Sequence, residues 1–301
     1  MTDSTPTGAA APGGRQRSAV VFILGSISAV QLSAVLATHI FQHVGPAGGA
    51  LLGVGFGAII LAAVVRPSWR ALVGPSRLPL IGYGLVLSGM NLTFYLGISR
   101  VPLGTAVSIE FLGPLTVAAV YAGRPRNRWW VLLATAGVLG LTRPWSEQRA
   151  DPVGVAWLLV DSVCWGSYIL LGARAARGLP GLQPIAIAMA ISGLFLVVPG
   201  ILGGGPALLK ADVVLVGLGV ALVGQVVPYS LELLALRRIT AGAFGILMAL
   251  EPAVASVIGF VFLRQPLGLL GTLSILAVVA AGIAVTRDQR DGPNDVETLA
   301  C

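Results

Sequence analysis

The chain has 301 residues, of which 56% are hydrophobic and 10% are charged, with a formal net charge of +7. Soluble domains carry about 25% charged residues, so a soluble fold of this length would lack the polar surface it needs. The basic residues lie in short gaps between apolar runs and form no aromatic-basic patch, which argues against nucleic acid as a partner. The composition therefore indicates an integral membrane protein.

Apolar segments follow one another along the whole chain. Most have about 20 residues, the length that crosses about 30 Å of hydrocarbon as a helix. Their bounds are 19–40, 47–65, 78–98, 103–122, 129–142, 153–173, 182–203, 213–236, 241–263 and 268–286. The fifth is short, and tryptophans at its ends support it because Trp favours the membrane interface. The polar ends, 1–18 and 287–301, are predicted to be cytoplasmic tails, the first of them disordered.

The basic residues predict the topology. If the gaps alternate between two sides of the membrane, one side receives only Arg100, Arg143, Arg149, Lys210 and Arg264 of the 19 Lys and Arg residues. Cytoplasmic loops are enriched in Lys and Arg, so both termini are predicted to be cytoplasmic in an inner or plasma membrane. Five helices are an odd number, so a duplicated five-helix unit would insert in opposite orientations. The predicted fold is an all-α membrane protein with ten transmembrane helices in two inverted repeats, 19–142 and 153–286.

Four acids fall within the apolar segments, whereas no Lys or Arg does: Glu110, Asp161, Glu232 and Glu251. A carboxyl group in hydrocarbon must be protonated, face a wet cavity or pair with an arriving cation such as an ammonium group. Glu110 and Glu251 are predicted to couple protons or to bind ammonium. Glu232 has the same predicted role, with an alternative as an interfacial acid beside Arg237. For Asp161 the sequence leaves two alternatives, an interfacial position and a buried one.

Polar residues near these acids recur at helical spacing. Asn91 and Tyr95 share one face, Trp165 and Tyr168 a second, and Gln225, Tyr229 and Glu232 a third, while Gln31 lies in the middle of the first segment. Such faces point into a helix bundle, either to hydrogen-bond neighbouring helices or to line a substrate cavity. The predicted substrate-binding residues are Gln31, Asn91, Tyr95, Trp165, Tyr168 and Tyr229.

Three prolines lie inside apolar segments, and motifs of other chemistries do not occur. Pro114, Pro228 and Pro252 each remove a backbone hydrogen bond and are predicted to kink their helices. The sequence has no P-loop, HExxH or GxSxG motif, and its two cysteines form no CxxC pair. We therefore predict no enzyme activity, cofactor or metal. The predicted partners are a small-molecule substrate, protons and the lipid bilayer, and the oligomeric state stays open.

Three stretches carry a family resemblance: 89–115 (GMNLTFYLGISRVPLGTAVSIEFLGPL), 164–175 (CWGSYILLGARA) and 227–263. They resemble the threonine/homoserine exporter branch of the EamA family, in the drug/metabolite transporter superfamily. The resemblance implies two inverted five-helix repeats around a central cavity and export of amino acids or related metabolites by proton exchange. Carried onto this sequence, it implies a site formed by Asn91, Tyr95, Glu110, Trp165, Tyr168, Tyr229, Glu232 and Glu251.

One departure keeps the substrate open. Relatives in this branch often carry an arginine near the start of the second helix, where this sequence has no basic residue between His43 and Arg66 and has Gly53 instead. Export of small amino acids is therefore weighed against efflux of aromatic compounds or organic-cation drugs by the same fold. A lipid-modifying enzyme and a receptor or structural protein are further alternatives with less support.

Overall fold

The computed structural model describes residues 12–74, 77–121, 127–142, 150–239, 244–245, 247–248, 251–264 and 268–290. These residues form helices joined by short turns, and no strand occurs among them. The architecture is that of an all-α membrane protein, as the apolar segments predict.

The first half of the chain contains helices α1 to α5. Helical structure runs over Pro12–Val65, but Gly45 has φ +63° and ψ 173°. This conformation is accessible to glycine and turns the chain between α1 (12–44) and α2 (46–65). Helix α3 is Arg77–Ile98, and α4 consists of Leu103–Glu110 and Leu112–Tyr121 with a turn at Phe111. Helix α5 is Asn127–Thr142.

The second half contains helices α6 to α10. Helix α6 is Pro152–Gly178 and α7 is Gln183–Gly204. Helix α8 begins as Ala211–Ala221, widens into a π-helical turn at Leu222–Val226, and continues as Val227–Leu236. Helix α9 is Glu251–Leu263 and α10 is Leu269–Arg290.

Helix bounds agree with the apolar segments in most places and differ at the ends. Helix α1 starts at Pro12, inside the predicted disordered tail 1–18, and α10 continues to Arg290, inside the predicted tail 287–301. The rest of these tails, and most of 240–250 in the predicted ninth segment, lie outside the described residues. A turn at Gly45 replaces the predicted loop between the first two segments.

Several helices have the length and apolarity of membrane spans. Five stretches meet both criteria: Ser18–Val65, Arg77–Ile98, Pro152–Gly178, Gln183–Leu209 and Ala211–Leu236. The first of them contains both α1 and α2. Four shorter apolar helices, Leu103–Val117, Trp129–Leu141, Glu251–Phe262 and Leu269–Ala281, account for α4, α5, α9 and α10. The protein is therefore a multi-pass membrane protein, and the crossing of the membrane by all ten helices stays a prediction.

Each helix of the first half packs against a specific helix of the second. Helix α2 packs on α7, α4 on α9, and α5 on α10, while α1 packs along α8 and α3 along α6. Small residues line several of these contacts, for example Gly200 against Leu51 and Gly137 against Ser274. Small residues allow close packing of helices in a membrane, where the hydrophobic effect does not drive helices together.

A close approach of two backbones joins α4 to α6. A Cβ atom on Gly113 would overlap the carbonyl oxygen of Ser162, and Gly166 lies against the backbone of Gly113. Only glycine fits at position 113, so this contact fixes the distance between the two helices. Glu110 and Asp161, on either side of the contact, are thereby carried into the same region of the interior.

Contacts at the helix ends involve two arginines at the end of α8. The Arg238 guanidinium lies 4.7 Å from the ring centre of Phe22. Arg237 donates to the carbonyl oxygens of Ala176 and Leu179 at 2.8 and 2.6 Å. The beginning of α1 and the ends of α6 and α8 therefore meet at one face of the bundle, while the topology across the membrane stays a prediction.

Candidate functional site

A cavity lies between the two halves of the chain. Its empty volume is about 420 Å³, counting the part that is open to solvent. The lining residues are Val30, Met90, Asn91, Phe94, Glu110, Trp165, Tyr229, Glu232 and Glu251, and they come from α1, α3, α4, α6, α8 and α9. Ligand pockets typically occupy about 300–1,000 Å³. Among the residues that the structure describes, the lining combines three carboxyl groups with three aromatic rings and includes no Lys or Arg.

Glu251 has unused hydrogen-bonding capacity in this cavity. It is the first residue of α9 and is 4% exposed. The side-chain amide of Gln31 donates from Nε2 to Glu251 Oε1 at 3.0 Å. Glu251 Oε2 and Gln31 Oε1 are buried without a hydrogen-bond partner among the described residues. Both atoms are acceptors, so a ligand that donates hydrogen bonds would complement this part of the site.

Glu232, by contrast, has a partner for each oxygen. Ser26 Oγ donates to Oε1 at 2.6 Å and the Tyr168 hydroxyl donates to Oε2 at 3.1 Å. The side chain is 5% exposed, and Arg237 contacts backbone carbonyls instead. The alternative of an interfacial Glu232 paired with Arg237 is therefore wrong, because the side chain points into the bundle rather than toward the helix end.

Glu110 and Asp161 are neighbouring carboxyl groups. Their side chains lie next to each other, and Glu232 and Glu251 are near enough to Glu110 to interact with it electrostatically. Asp161 is fully buried, Thr93 Oγ1 lies 3.4 Å from its Oδ1, and its Oδ2 lacks a partner in the described structure. The interfacial alternative for Asp161 is therefore wrong. All four intramembrane acids converge on one interior region.

A second, smaller pocket adjoins the cavity and shares Val30, Asn91, Phe94 and Tyr229 with it. Its other lining residues are Ser33, Ala34, Tyr95, Gly224 and Gln225, and its empty volume is about 280 Å³. Gln225 Nε2 donates to Asn91 Oδ1 at 2.7 Å, and Asn91 Nδ2 donates to the Tyr229 hydroxyl at 3.1 Å. This amide and phenol network joins α3 to α8 between the two pockets.

Aromatic rings connect the cavity with the interior beyond Glu232. The rings of Tyr229 and Tyr168 have centroids 5.6 Å apart, and those of Tyr168 and Tyr83 are 5.1 Å apart. Tilted rings at these separations attract each other. The stack holds Tyr168 where its hydroxyl reaches Glu232, so Tyr168 contacts the cavity through that acid.

Two of the three predicted kink prolines lie beside an irregular backbone segment. Pro114 follows the turn at Phe111, and Pro228 follows the π-helical turn Leu222–Val226. Pro252 is the second residue of α9. The π-helical turn places Gln225 beside the second pocket, and π-bulges are frequent at functional sites.

The sequence is similar to known membrane transporters. The EamA-like transporter family matches residues 152–287. The "Threonine/homoserine exporter RhtA" of Escherichia coli (strain K12) is 40% identical over 269 residues, covering 89% of this chain and 90% of the relative. The chain belongs to the EamA-like transporter family. The family predicted from the three sequence stretches is therefore confirmed.

Further relatives of this EamA-family chain are also named as transporters. The exporter of the same name from Salmonella typhimurium (strain LT2) is 38% identical over 276 residues, covering 91% of this chain and 93% of the relative. "Uncharacterized transporter YwfM" of Bacillus subtilis (strain 168) is 29% identical over 56% of this chain and 57% of its own. A solved crystal structure with 18% identity has a TM-score of 0.66 and covers 90% of this chain and 98% of that one, which shows the same fold.

The structure brings the predicted site residues of this EamA-family protein together. Six line the cavity, Tyr95 lines the second pocket, Gln31 contacts Glu251, and Tyr168 contacts Glu232. No binding or coupling role was predicted for Ser26, Thr93 or Gln225. Ser26 and Ser33 are seven residues apart on α1, two helical turns, and this polar spacing was the available signal. Gln225 was placed on the face of Tyr229 but given no binding role.

Proposed function

We propose that this protein exports small amino acids of the threonine and homoserine type, or related metabolites, by proton antiport. Two observations support the proposal. Relatives that are 38–40% identical over about 90% of the chain carry the name threonine/homoserine exporter. The interior cavity presents carboxyl groups, and none of the described residues that line it is basic.

The cavity chemistry fits a substrate with an ammonium group. Glu251 offers a free carboxyl oxygen, and Glu110 borders the same cavity. An ammonium group carries three donors and one positive charge, so it supplies both the hydrogen bonds and the charge that this region lacks. Tyr229 and Trp165 place hydrogen-bond donors in the lining for the substrate carboxylate. The single observation that carries the proposal is this set of buried carboxyl groups without a cation.

The same carboxyl groups supply a coupling mechanism. A glutamate in this cavity can bind a proton or a substrate ammonium, and binding of one displaces the other. In this mechanism the substrate leaves outward when protons from outside replace it on Glu251 and Glu110. Glu232 has both oxygens bonded within the protein. We assign Glu232 to holding α1, α6 and α8 around the site.

The helix contacts support alternating access by two inverted repeats. Exchanging each helix with the one five places along converts the pair α1–α8 into α6–α3, and leaves α2–α7, α4–α9 and α5–α10 unchanged. Two repeats related by a two-fold axis would produce this pattern. Transporters with such repeats move one unit against the other around a site near the bilayer midplane.

A second candidate function is efflux of aromatic or organic-cation compounds. Phe94, Trp165 and Tyr229 line the cavity together with the acids. Aromatic faces attract cations, and more strongly where water is excluded. Related exporters often carry an arginine near the start of the second helix, and this chain has no basic residue between His43 and Arg66, so the site lacks that partner for a substrate carboxylate.

Flux into and out of proteoliposomes distinguishes the two candidates. Purified protein is reconstituted, the vesicles are loaded with threonine, homoserine or a monovalent aromatic cation, and a pH gradient is imposed. We expect gradient-driven flux of the amino acids that ceases when an ionophore removes the gradient. Flux of the aromatic cation alone would support the second candidate. Flux that is unaffected by the gradient would exclude proton antiport, and protein-free vesicles provide the background.

A further inference from the structure

We infer that the second pocket, at Gln225, recognises a side-chain hydroxyl group of the substrate, and that Gln225 Oε1 accepts the hydrogen of that hydroxyl. This inference rests on the proposed function, because it names the part of the amino acid that enters this pocket. Gln225 would then be a specificity-determining residue that favours hydroxylated amino acids over their apolar isosteres.

The orientation of the Gln225 amide follows from its neighbours. Asn91 lies 3.0 Å from the carbonyl oxygen of Leu87, which can only accept a hydrogen bond, so the Asn91 atom there is the Nδ2 donor. Asn91 Oδ1 must then be the atom that faces Gln225 at 2.7 Å. An acceptor requires a donor opposite it, so Gln225 presents Nε2 to Asn91. Its Oε1 is therefore the atom turned away from the network.

Gln225 Oε1 is an unused acceptor in a buried place. Gln225 is 3% exposed, and its Oε1 has no hydrogen-bond partner among the described residues. A buried acceptor without a partner costs free energy, so such an atom calls for a ligand or an ordered water. Gln225 packs closely against α2, since a Cβ atom at Gly57 would approach Gln225 Cβ to 3.2 Å.

The lining of the second pocket selects a neutral group. The carboxyl groups of Glu110, Glu232 and Glu251 border the first cavity and are absent from the lining of the second pocket. An ammonium group is therefore expected beside the acids, and the neutral amide oxygen of Gln225 is left for an uncharged donor. The hydroxyl groups of Ser33 and Tyr95 lie close to Gln225 in the same pocket.

A hydroxyl group can both donate and accept a hydrogen bond in this pocket. It donates one hydrogen, which Gln225 Oε1 accepts, and its oxygen accepts a hydrogen from the Tyr95 hydroxyl. Because the two pockets meet at Asn91 and Tyr229, one small amino acid can place its ammonium group in the first and its side chain in the second. A methyl group in the second pocket would leave Gln225 Oε1 unpaired.

The test compares isosteric substrates in proteoliposomes. Threonine and valine differ by a hydroxyl in place of a methyl group, so their initial rates of flux report this contact. We expect wild-type protein to favour threonine by on the order of three- to tenfold, the range for one net hydrogen bond. The Gln225→Met variant keeps the side-chain length without the amide, and we expect a ratio near one with the valine rate retained.

A contrast variant separates recognition from a structural role. Gln31→Met removes an amide on the acid side, next to Glu251, and is expected to lower both rates by the same factor with the ratio preserved. If Gln225→Met does not fold, Gln225→Asn keeps the amide but withdraws it by one methylene, and the threonine preference should fall. Wild-type flux of allo-threonine, whose hydroxyl points elsewhere, gives a further measurement without any substitution and should be slower than that of threonine.

The outcomes distinguish this inference from the proposed function. Equal rates for threonine and valine in the wild type would overturn the inference and leave amino-acid export intact. An equal loss of both rates in Gln225→Met would show that Gln225 only joins α8 to α3, which also overturns it. Absence of flux for every amino acid would overturn the proposed function and the inference together.

Discussion

Glu232 and Glu251 differ in their hydrogen bonds although they are buried to the same extent. Their exposed fractions are 5% and 4%. Glu232 receives hydrogen bonds on both oxygens, from Ser26 and Tyr168, whereas Glu251 receives one from Gln31 and keeps Oε2 free. Burial alone therefore does not separate a structural carboxyl group from one available to a substrate. The number of unused acceptor positions on each carboxyl group separates the two kinds.

The difference follows from the residues that face each acid. Glu232 meets a hydroxyl on α1 and another on α6, which are donors of the kind a carboxyl oxygen accepts. Glu251 meets a single amide, whose own oxygen is also left free. The region around Glu251 has more acceptors than donors, and a substrate ammonium would correct this imbalance. Substitutions at the two positions should therefore have different consequences.

The largest expected effect on transport is at Glu251. In Glu251→Gln the charge is lost while the size is kept, so we expect gradient-driven flux to fall at least a hundredfold with the protein still folded. Flux assays in proteoliposomes, with gel filtration to check folding, measure this. Asp212→Asn, an exposed acid on α8 away from the cavity, is the matched control and should transport normally. Unchanged flux and unchanged pH dependence in Glu251→Gln would remove Glu251 from the coupling role.

A smaller effect on transport and a larger one on stability are expected at Glu232. Tyr168→Phe removes the donor to Glu232 Oε2 and leaves that oxygen unpaired, which costs on the order of 1–3 kcal/mol of folding free energy. We expect a lower Tm in detergent and flux reduced by less than about tenfold. The comparison fails if Tyr168→Phe abolishes transport without changing Tm, because Glu232 would then act directly on the substrate or proton.

The smallest effect is expected at a carboxylate outside the bundle. Asp151 begins α6, where Oδ1 accepts from the backbone N–H groups of Val153 and Gly154 at 2.8 and 2.9 Å. Its ion pair with Arg100, at 3.4 Å, is solvent-exposed and contributes little. We expect Asp151→Ala to lower Tm slightly at pH 7, while Asp151→Asn keeps the capping oxygen and changes Tm less.

The Asp151 contribution should depend on pH in a defined direction. The hydrogen bond from Gly154, followed by that from Val153 and the charge of Arg100, holds the pKa of Asp151 below its usual value. A carboxyl group with a lowered folded-state pKa stabilises the fold above its unfolded pKa of about 3.9, and this stabilisation is lost as the pH falls through the folded value. The Tm difference between wild type and Asp151→Ala should therefore vanish in strong acid. A difference that persists there would assign the effect to something other than this carboxylate.

The helices could be predicted from the sequence because membrane burial acts on every residue of a span. Apolar runs identified segments that coincide with the described helices within a few residues, apart from the ninth and from the first, whose helix already begins at Pro12. A break between the first two segments was predicted, but not that a turn at Gly45 would replace the loop, and the π-helical turn at Leu222–Val226 was not predicted. A helix can absorb a π-helical turn without altering its hydropathy.

The acids were identified from the sequence, but their environments were not. Depth along a helix placed Glu232 near Arg237, whereas the side chain points the other way, toward Ser26 on α1. Partners such as Gln31 and Glu251 are 220 residues apart, and only the packing of α1 against α9 brings them together. Rotation of each helix about its axis decides these contacts, and one sequence carries little information about it.

The backbone contact between Gly113 and Ser162 has a consequence for motion. Helices that meet through side chains can slide, because side chains change rotamer, whereas a glycine seated against a carbonyl oxygen has no rotamer to change. We therefore expect α4 to move relative to α6 by rotation about this point rather than by sliding past it. Glu110 and Asp161 lie within one helical turn of it and would remain neighbours when the cavity opens to either side of the membrane.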